Sequence, residues 1–338
     1  MKTNILIQGD NLEAMNWLLS EGYEEKIDLV YIDPPFATGG VFSVDNSGRV
    51  ATISKSKDAS VAYKDTLKGD DFISFLKERC VLIHRLLSKK GSLYLHIDYK
   101  IGHYVKVMLD SVFGIENFRN DITRIKCNPK NFERIGYGNI KDLILFYSKG
   151  KNPIWNSPKE KANDKDIEKL YNKVDAQGRR YTTVPIHAPG ETNGETNQPF
   201  KGLFPPKGRH WRCSVKELEE LDKQGLIEWS SKGNPRKINY ADDHIYKKVQ
   251  DIWEFKDPVK PIYPTEKNLE MLDMIVKASS NEDSIVMDCF CGSGSTLIAA
   301  SLNSRKWIGI DQSKIAIDAV KKRFEGDIYS ESFNFIKL

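Results

Sequence analysis

Residues 27–32 read IDLVYI, an apolar run with almost no polar alternation, and the run stops at Asp33-Pro34-Pro35-Phe36. A strand written this way is covered on both faces, as the strands of parallel sheets are. Proline neither donates to a ladder nor continues one, so the strand must end there. One proline and a glycine would be enough to end it. A carboxylate, two prolines and an aromatic ring point to a more specific use.

The same pattern recurs along the chain. NILIQ at 4–8, SLYLHI at 92–97, SIVMD at 284–288 and WIGI at 307–310 read as buried strands. Helical spacing separates them at 11–19, 70–87, 101–109, 268–278, 296–302 and 313–324. In the second of these, Phe72, Phe75, Leu76, Leu82, Ile83 and Leu86 share one side, and Lys89-Lys90-Gly91 reads as its cap. Residues 120–126 and 142–148 suggest a hairpin edge. Strands alternating with helices predict a doubly wound α/β fold with a mainly parallel sheet. Residues 37–62, rich in Gly, Ser, Thr, Asp and Lys, read as a long loop of the kind that serves as a lid.

Between residues 151 and 258 the pattern lapses into Pro, Gly, Asn and scattered aromatics, with one helix expected near 214–224 behind Ser214 as N-cap. That stretch reads as an inserted module between residues 1–150 and 259–338. Residues 151–260 hold 21 Lys and Arg against 17 Asp and Glu, a surplus of four that equals the net charge of the whole chain, +4. A weak basic bias suits a polyanion and an ordinary solvated surface about equally. At 338 residues, 40% hydrophobic and 29% charged, the composition is that of a soluble globular protein. No signal peptide and no membrane-spanning run are expected. The five cysteines are odd in number and scattered, which argues against a disulfide framework and for a reducing cytoplasm. The six histidines lack metal-ligand spacing, so no metal is expected.

A second chemical motif follows the strand at 284–288. CGSGS is a glycine turn leading into a helix, and Asp311 lies 19 residues beyond Gly292, near the interval at which an acid grips ribose hydroxyls. Leu297 stands where a dinucleotide fingerprint has its third glycine, and no Gly-Lys-Ser/Thr follows. The pattern suits an adenosine ligand without a pyrophosphate.

Taken together, the two motifs carry a resemblance. Asp33-Pro34-Pro35-Phe36 resembles the (D/N/S)PP(Y/F) tetrapeptide of amino methyltransferases, and residues 288–296, DCFCGSGST, are similar to the D-x-F-x-G-S-G-T-T loop of the DNA enzymes in that group. Tyr263-Pro264-Thr265-Glu266-Lys267 is similar to their P-T-x-K element. Tetrapeptide first, then a variable insert, then the cofactor loop is the permuted β-class order of N6-adenine and N4-cytosine DNA methyltransferases. Residues 208–243 further resemble type III restriction-modification Mod subunits. Ser295 replaces a commoner Thr, and Asn268 stands where the family usually has Pro.

The resemblance implies a Rossmann-like methyltransferase fold, S-adenosylmethionine as cofactor and double-stranded DNA as partner, and it is compatible with a homodimer and an accompanying restriction subunit. It implies that Asp33 and the Pro34 carbonyl, with Pro35 keeping the turn rigid, take the hydrogens of an exocyclic amine while Phe36 stacks on the extruded base. Asp10 would lie beside the same pocket; as a residue it reads equally well as the cap of the helix at 11–19. Asp288, Phe290, Gly292 and Gly294 would hold the cofactor, Asp311 its ribose, and Thr265 and Lys267 its methionine carboxylate. Arg179, Arg180, Lys207, Arg209, Arg212, Arg236 and Lys237 in the insert are the expected DNA contacts. Asp at the first tetrapeptide position leans towards adenine, with N4-cytosine as the alternative. An RNA or protein-glutamine methyltransferase would carry its cofactor loop first, and a catalytically silent DNA-binding subunit would not need an intact Asp33.

Overall fold

The apolar runs meet in one nine-stranded sheet. Its order is Ile252–Trp253, Phe118–Ile125, Lys141–Ser148, Leu87–Ile97, Ile27–Ile32, Ile285–Asp288, Lys306–Asp311, Asn4–Gln8, Phe333–Lys337. Neighbours are parallel except at Lys141–Ser148, which runs against both of its partners. This computed structural model describes residues 4–35, 41–44, 50–51, 60–64, 69–129, 133, 135–242, 246–257, 267–325 and 331–338. The chain divides into two compact units, Met1–Pro158 with Gln250–Leu338, and Lys159–Val249.

Successive side chains of a strand point to opposite faces, and here both faces are covered. Val30, Ile32, Leu93 and Leu95 share one core with the helices Asn11–Ser20, Gly69–Leu86 and Gly102–Phe113. The intervening Leu29, Tyr31, Tyr94, Val286 and Trp307 are equally buried. Trp307 lies 4.6 Å, centroid to centroid, from Phe324 of helix Lys314–Phe324. Tyr94 Oη meets Ser279 Oγ of helix Leu269–Ser279 at 2.8 Å. Each large side chain so covered contributes about 1.5–3 kcal/mol. The sheet is doubly wound, as its apolar runs require.

The structure departs from the expected pattern in four places. Among the residues described within 37–62, Val41–Val44, Val50–Ala51 and Ser60–Lys64 form a three-stranded antiparallel sheet; the rest of that segment lies outside the described residues. A polar composition concealed the short VFSV and SVAYK alternations. At the C-terminal side, Phe333–Lys337 adds a parallel edge strand beside Asn4–Gln8.

The inserted unit is not irregular. Its sheet runs Lys173–Val174, Arg180–Pro185, Pro235–Tyr240, Ile227–Trp229, and His187–Pro189 pairs with Arg209–Trp211. Ile186, Phe200, Trp211, Leu218 and Ile227 form its core. Helix Val215–Lys223 opens on the expected Ser214 cap, completed by Glu217 into a capping box. Strands of two to six residues, mostly half-buried, carry too little alternation to stand out in a sequence.

Finally, Lys89-Lys90-Gly91 does not cap a helix, because the strand Leu87–Ile97 begins directly after Leu86. Leu87 pairs with Ile27 but Ser92 pairs with Leu29, so residues 88–91 are taken up opposite Asp28 alone. A Cβ on Gly91 would lie 2.8 Å from the Ile27 carbonyl oxygen, a backbone atom that cannot swing aside. Gly91→Ala is therefore expected to cost about 1–3 kcal/mol, read as a lower urea midpoint at unchanged slope.

Candidate active site

Strands Ile27–Ile32 and Ile285–Asp288 are direct neighbours, with Val286 opposite Leu29 and Met287 opposite Val30. They run in the same direction, so Asp33 and Asp288 leave the sheet at the same C-terminal edge, where α/β folds bind ligands.

On the Asp288 side, the carboxylate is buried and accepts from Phe290 N at 3.0 Å and from Thr296 Oγ1 at 2.6 Å. Burial pushes its pKa up to about 7; those hydrogen bonds oppose the rise, and the charges of Asp33 and Asp311 add to it. Gly292 and Gly294 take φ of +48° and +81°, and at Gly294 a Cβ would come within 2.9 Å of Val320 Cγ2. Only glycine allows the chain to turn so tightly ahead of helix Ser295–Leu302. Asp311 Oδ2 accepts from Gly292 N at 2.9 Å and Oδ1 from Ser313 N at 2.8 Å. Each oxygen keeps lone-pair capacity for a ribose hydroxyl. Burial raises the pKa of Asp311. The turn, its helix N-terminus and this acid fit an adenosine-containing cofactor. Burial holds the Cys289 and Cys291 thiols well above their ordinary pKa, so they act as small packed side chains.

On the other side, Asp33 is ion-paired through Oδ2 with Lys267 Nζ. Its Oδ1 is buried and has no hydrogen-bond partner. Leaving such an acceptor unmatched costs about 1–3 kcal/mol, which an incoming N–H donor would offset. Pro34 is buried and Pro35 half-buried, while Phe36 and Thr265 lie outside the described residues.

Asp10 caps helix Asn11–Ser20, accepting from Leu12 N at 2.8 Å, and its second oxygen meets Arg79 at 3.2 Å. Arg79, almost fully buried, also donates to Asn11 Oδ1 at 2.6 Å, and Asn11 Nδ2 reaches the Cys289 carbonyl at 3.0 Å. The Arg79 guanidinium lies 3.5 Å from the Phe75 ring centroid, and Phe75 packs on Phe290. Asp10 is thus tied to the cofactor turn through Arg79 and Asn11. Sequence reading missed this clamp, although an arginine inside the apolar stripe of residues 72–86 was its signal.

It also missed a buried polar row beneath Asp33. Tyr31 Oη meets His96 Nδ1 at 2.9 Å, and His96 Nε2 meets Asp142 Oδ2 at 3.3 Å. Asp142 is further held by Lys126 at 2.6 Å and Arg124 at 3.7 Å, and Arg124 reaches Asp257 at 2.6 Å. Burial lowers the pKa of His96, so the ring is neutral. Asp142 can only accept, because despite burial the His96 and Lys126 contacts keep its pKa far below the usual range. The His96 proton is therefore on Nε2, and Tyr31 donates to Nδ1.

The expected DNA contacts separate into two groups. Arg236 is anchored on Thr183 at 2.7 and 3.0 Å, Arg179 on Asp175 at 2.9 Å and Arg180 on Glu168 at 3.4 Å. Lys237 is half-buried on the same strand as Arg236. Lys207, Arg209 and Arg212 are exposed, Arg209 resting on His187 at 3.1 Å. Among the described residues, no cluster could hold a metal ion and no helix is long and apolar enough to cross a membrane.

This doubly wound sheet with one reversed strand is the fold of the S-adenosylmethionine-dependent methyltransferases. It is similar over 99% of its length to TTHA0409 of Thermus thermophilus, a DNA modification methylase solved with S-adenosyl-L-methionine (TM-score 0.51, 14% identity, 98% of that chain covered). Residues 27–322 match the DNA methylase family N6_N4_Mtase, and the chain belongs to that family. It is 42% identical to the type II methyltransferase M.EcaI of Enterobacter cloacae, over 98% of this chain and 73% of that protein. The Mod subunit of the type III restriction-modification enzyme EcoPI, from Escherichia phage P1, is 25% identical over 90% of this chain and 55% of that subunit.

The raised pKa of Asp288 has a signature in stability. The folded state binds this proton more tightly than the unfolded chain, whose Asp titrates near 3.9. The stability contributed by Asp288 is therefore full below about pH 4 and is lost as pH rises through about 7. Without cofactor, the melting temperature of the protein relative to Asp288→Asn should fall across that window and level off above it, as measured by calorimetry.

Proposed function

We propose that the protein transfers the methyl group of S-adenosylmethionine to the exocyclic N6 of an adenine turned out of duplex DNA, as the modification enzyme of a restriction-modification system in the cytoplasm. The observation that carries this reading is the buried, unmatched Oδ1 of Asp33, on the strand next to the glycine turn. Family membership supports the reaction class, and the restriction-modification relatives support the setting.

An amine on an aromatic ring is a poor nucleophile because its lone pair is delocalised into the base. Acceptors that take both N–H groups favour a pyramidal nitrogen and localise that pair. Asp33 offers one acceptor and the Pro34 carbonyl the other, at an angle set by the locked φ of proline. Phe36 receives the ring face. Extruding the base costs about a few kcal/mol, and stacking on an aromatic returns about 1–3 kcal/mol. Bound in the turn, the cofactor supplies an electrophilic methyl. Asp288 orders the turn, Asp311 takes ribose hydroxyls, and Thr265 lies towards the methionine end.

The lean towards adenine rests on Asp at the first tetrapeptide position. Tritium from labelled cofactor should enter unmethylated duplex DNA and appear in N6-methyladenine after digestion. Label in N4-methylcytosine would establish the cytosine reading, and label in RNA or protein but not DNA would refute both.

The unit Lys159–Val249 is the target-recognition module in this reading, with Lys207, Arg209 and Arg212 as exposed phosphate contacts. The double variant Arg209→Ala/Arg212→Ala should bind DNA more weakly, with a log–log salt slope shallower by about 2, at unchanged cofactor affinity. Titrations of DNA and cofactor at several salt concentrations measure both.

A further inference from the structure

The pairing between Lys267 and Asp33 says more than that two opposite charges meet. Their side chains are only 10% and 15% exposed, so the contact is sheltered from water. The lysine holds one oxygen, Oδ2, while Oδ1 is buried without a partner. A guanidinium tends to grip both oxygens of a carboxylate in a fork, whereas an ammonium is a point charge that can hold one and leave the other open.

The backbone beneath Lys267 is also fixed. Asn268, which stands where the family usually has Pro, caps helix Leu269–Ser279 by accepting from Met271 N at 3.1 Å. Its Nδ2 donates to the Lys256 carbonyl at 3.1 Å. His96, neutral at the end of the Tyr31 hydrogen bond, feels the charges of both Lys267 and Asp33, so the ion pair borders the buried polar row.

We propose that Lys267 is a positioning residue of the methyl-acceptor half: it fixes the Asp33 carboxylate through Oδ2 and leaves Oδ1 as the oxygen that takes the N–H of the target amine. The proposal rests on the methyl-transfer reading above. It gives Lys267 a task distinct from the cofactor carboxylate, which was the expectation from sequence. An ammonium held there keeps the carboxylate from rotating and keeps a positive charge beside it while the amine is engaged.

The test uses the full chain with Lys267→Met, Lys267→Gln and Lys267→Arg, each accepted as folded on a cooperative melt. Cofactor affinity is measured by calorimetry, and single-turnover tritium transfer to unmethylated duplex DNA is followed at saturating cofactor. Lys267→Met and Lys267→Gln should keep cofactor affinity within about threefold, while the transfer rate falls about 10- to 100-fold, the scale of one charge-assisted hydrogen bond. Lys267→Arg should restore most of that rate. In Asp33→Asn the Lys267→Met change should cost little further, because the lysine acts through that carboxylate.

Weakened cofactor binding with an unchanged saturated rate would assign Lys267 to the cofactor and overturn the proposal. Loss of both, unchanged values for both, or full additivity with Asp33→Asn would overturn it as well. Wild-type protein that labels no DNA would instead overturn the reading of the activity itself, so the two failures are distinct.

Discussion

The site depends on the parallel register between two short strands, Val286 with Leu29 and Met287 with Val30. That pairing gathers Asp33, Asp288 and Asp311 at one edge of the sheet, although the first two lie 255 residues apart in the chain. Both faces of these strands are packed, so a slip of one residue would exchange every buried side chain for its neighbour of opposite facing. The register is therefore held by burial along the whole strand and not by the functional residues at its end. Three carboxylates so close repel one another, and the rise in the pKa of Asp288 is one expression of this. The protein offsets the repulsion with Lys267 on Asp33 and with backbone N–H groups on Asp288 and Asp311. A cofactor with a positively charged sulfonium suits an edge of this kind.

The parts of this arrangement that were legible in the sequence share a physical cause. Buried parallel strands must be apolar throughout, so IDLVYI and SIVMD could be read as central strands, and a proline pair or a glycine turn at their ends could be read as a ligand edge. Capping is equally local, which is why Ser214 was recognisable as an N-cap and Asp10 could be read as one. The inserted unit was opaque because its strands are short and half-buried, so packing within its own small core decides them more than local pattern does.

Illegible, too, were the partnerships among polar groups. His96 within SLYLHI and Arg79 within a helical apolar stripe are out of place in a core, and that much can be seen in the sequence. Their partners come from other strands and helices, 46 to 69 positions away. Satisfying a buried polar group is a global problem, solved by whichever elements the fold brings alongside. The row from Tyr31 through His96 and Asp142 to Arg124 crosses four strands in the spatial order of the sheet, which is not the order of the chain. Lys267 belongs to the same category. A lysine just before a helix cap has many possible uses in a sequence, and only the fold brings its ammonium onto Asp33.

The order of strands in the sheet also bears on how the protein is made. Ile27–Ile32 is synthesised early, yet its neighbour Ile285–Asp288 arrives about 250 residues later. At about 5–20 residues per second, the emerging chain spends on the order of ten to fifty seconds with one side of its central strand unpaired. Such an edge, apolar on both faces, invites association with other chains, and long-range parallel pairing is intrinsically slow. The ribosome thus delivers the acceptor carboxylate well before the turn that must stand beside it, and a chain interrupted before residue 285 would lack the strand that brings the two together.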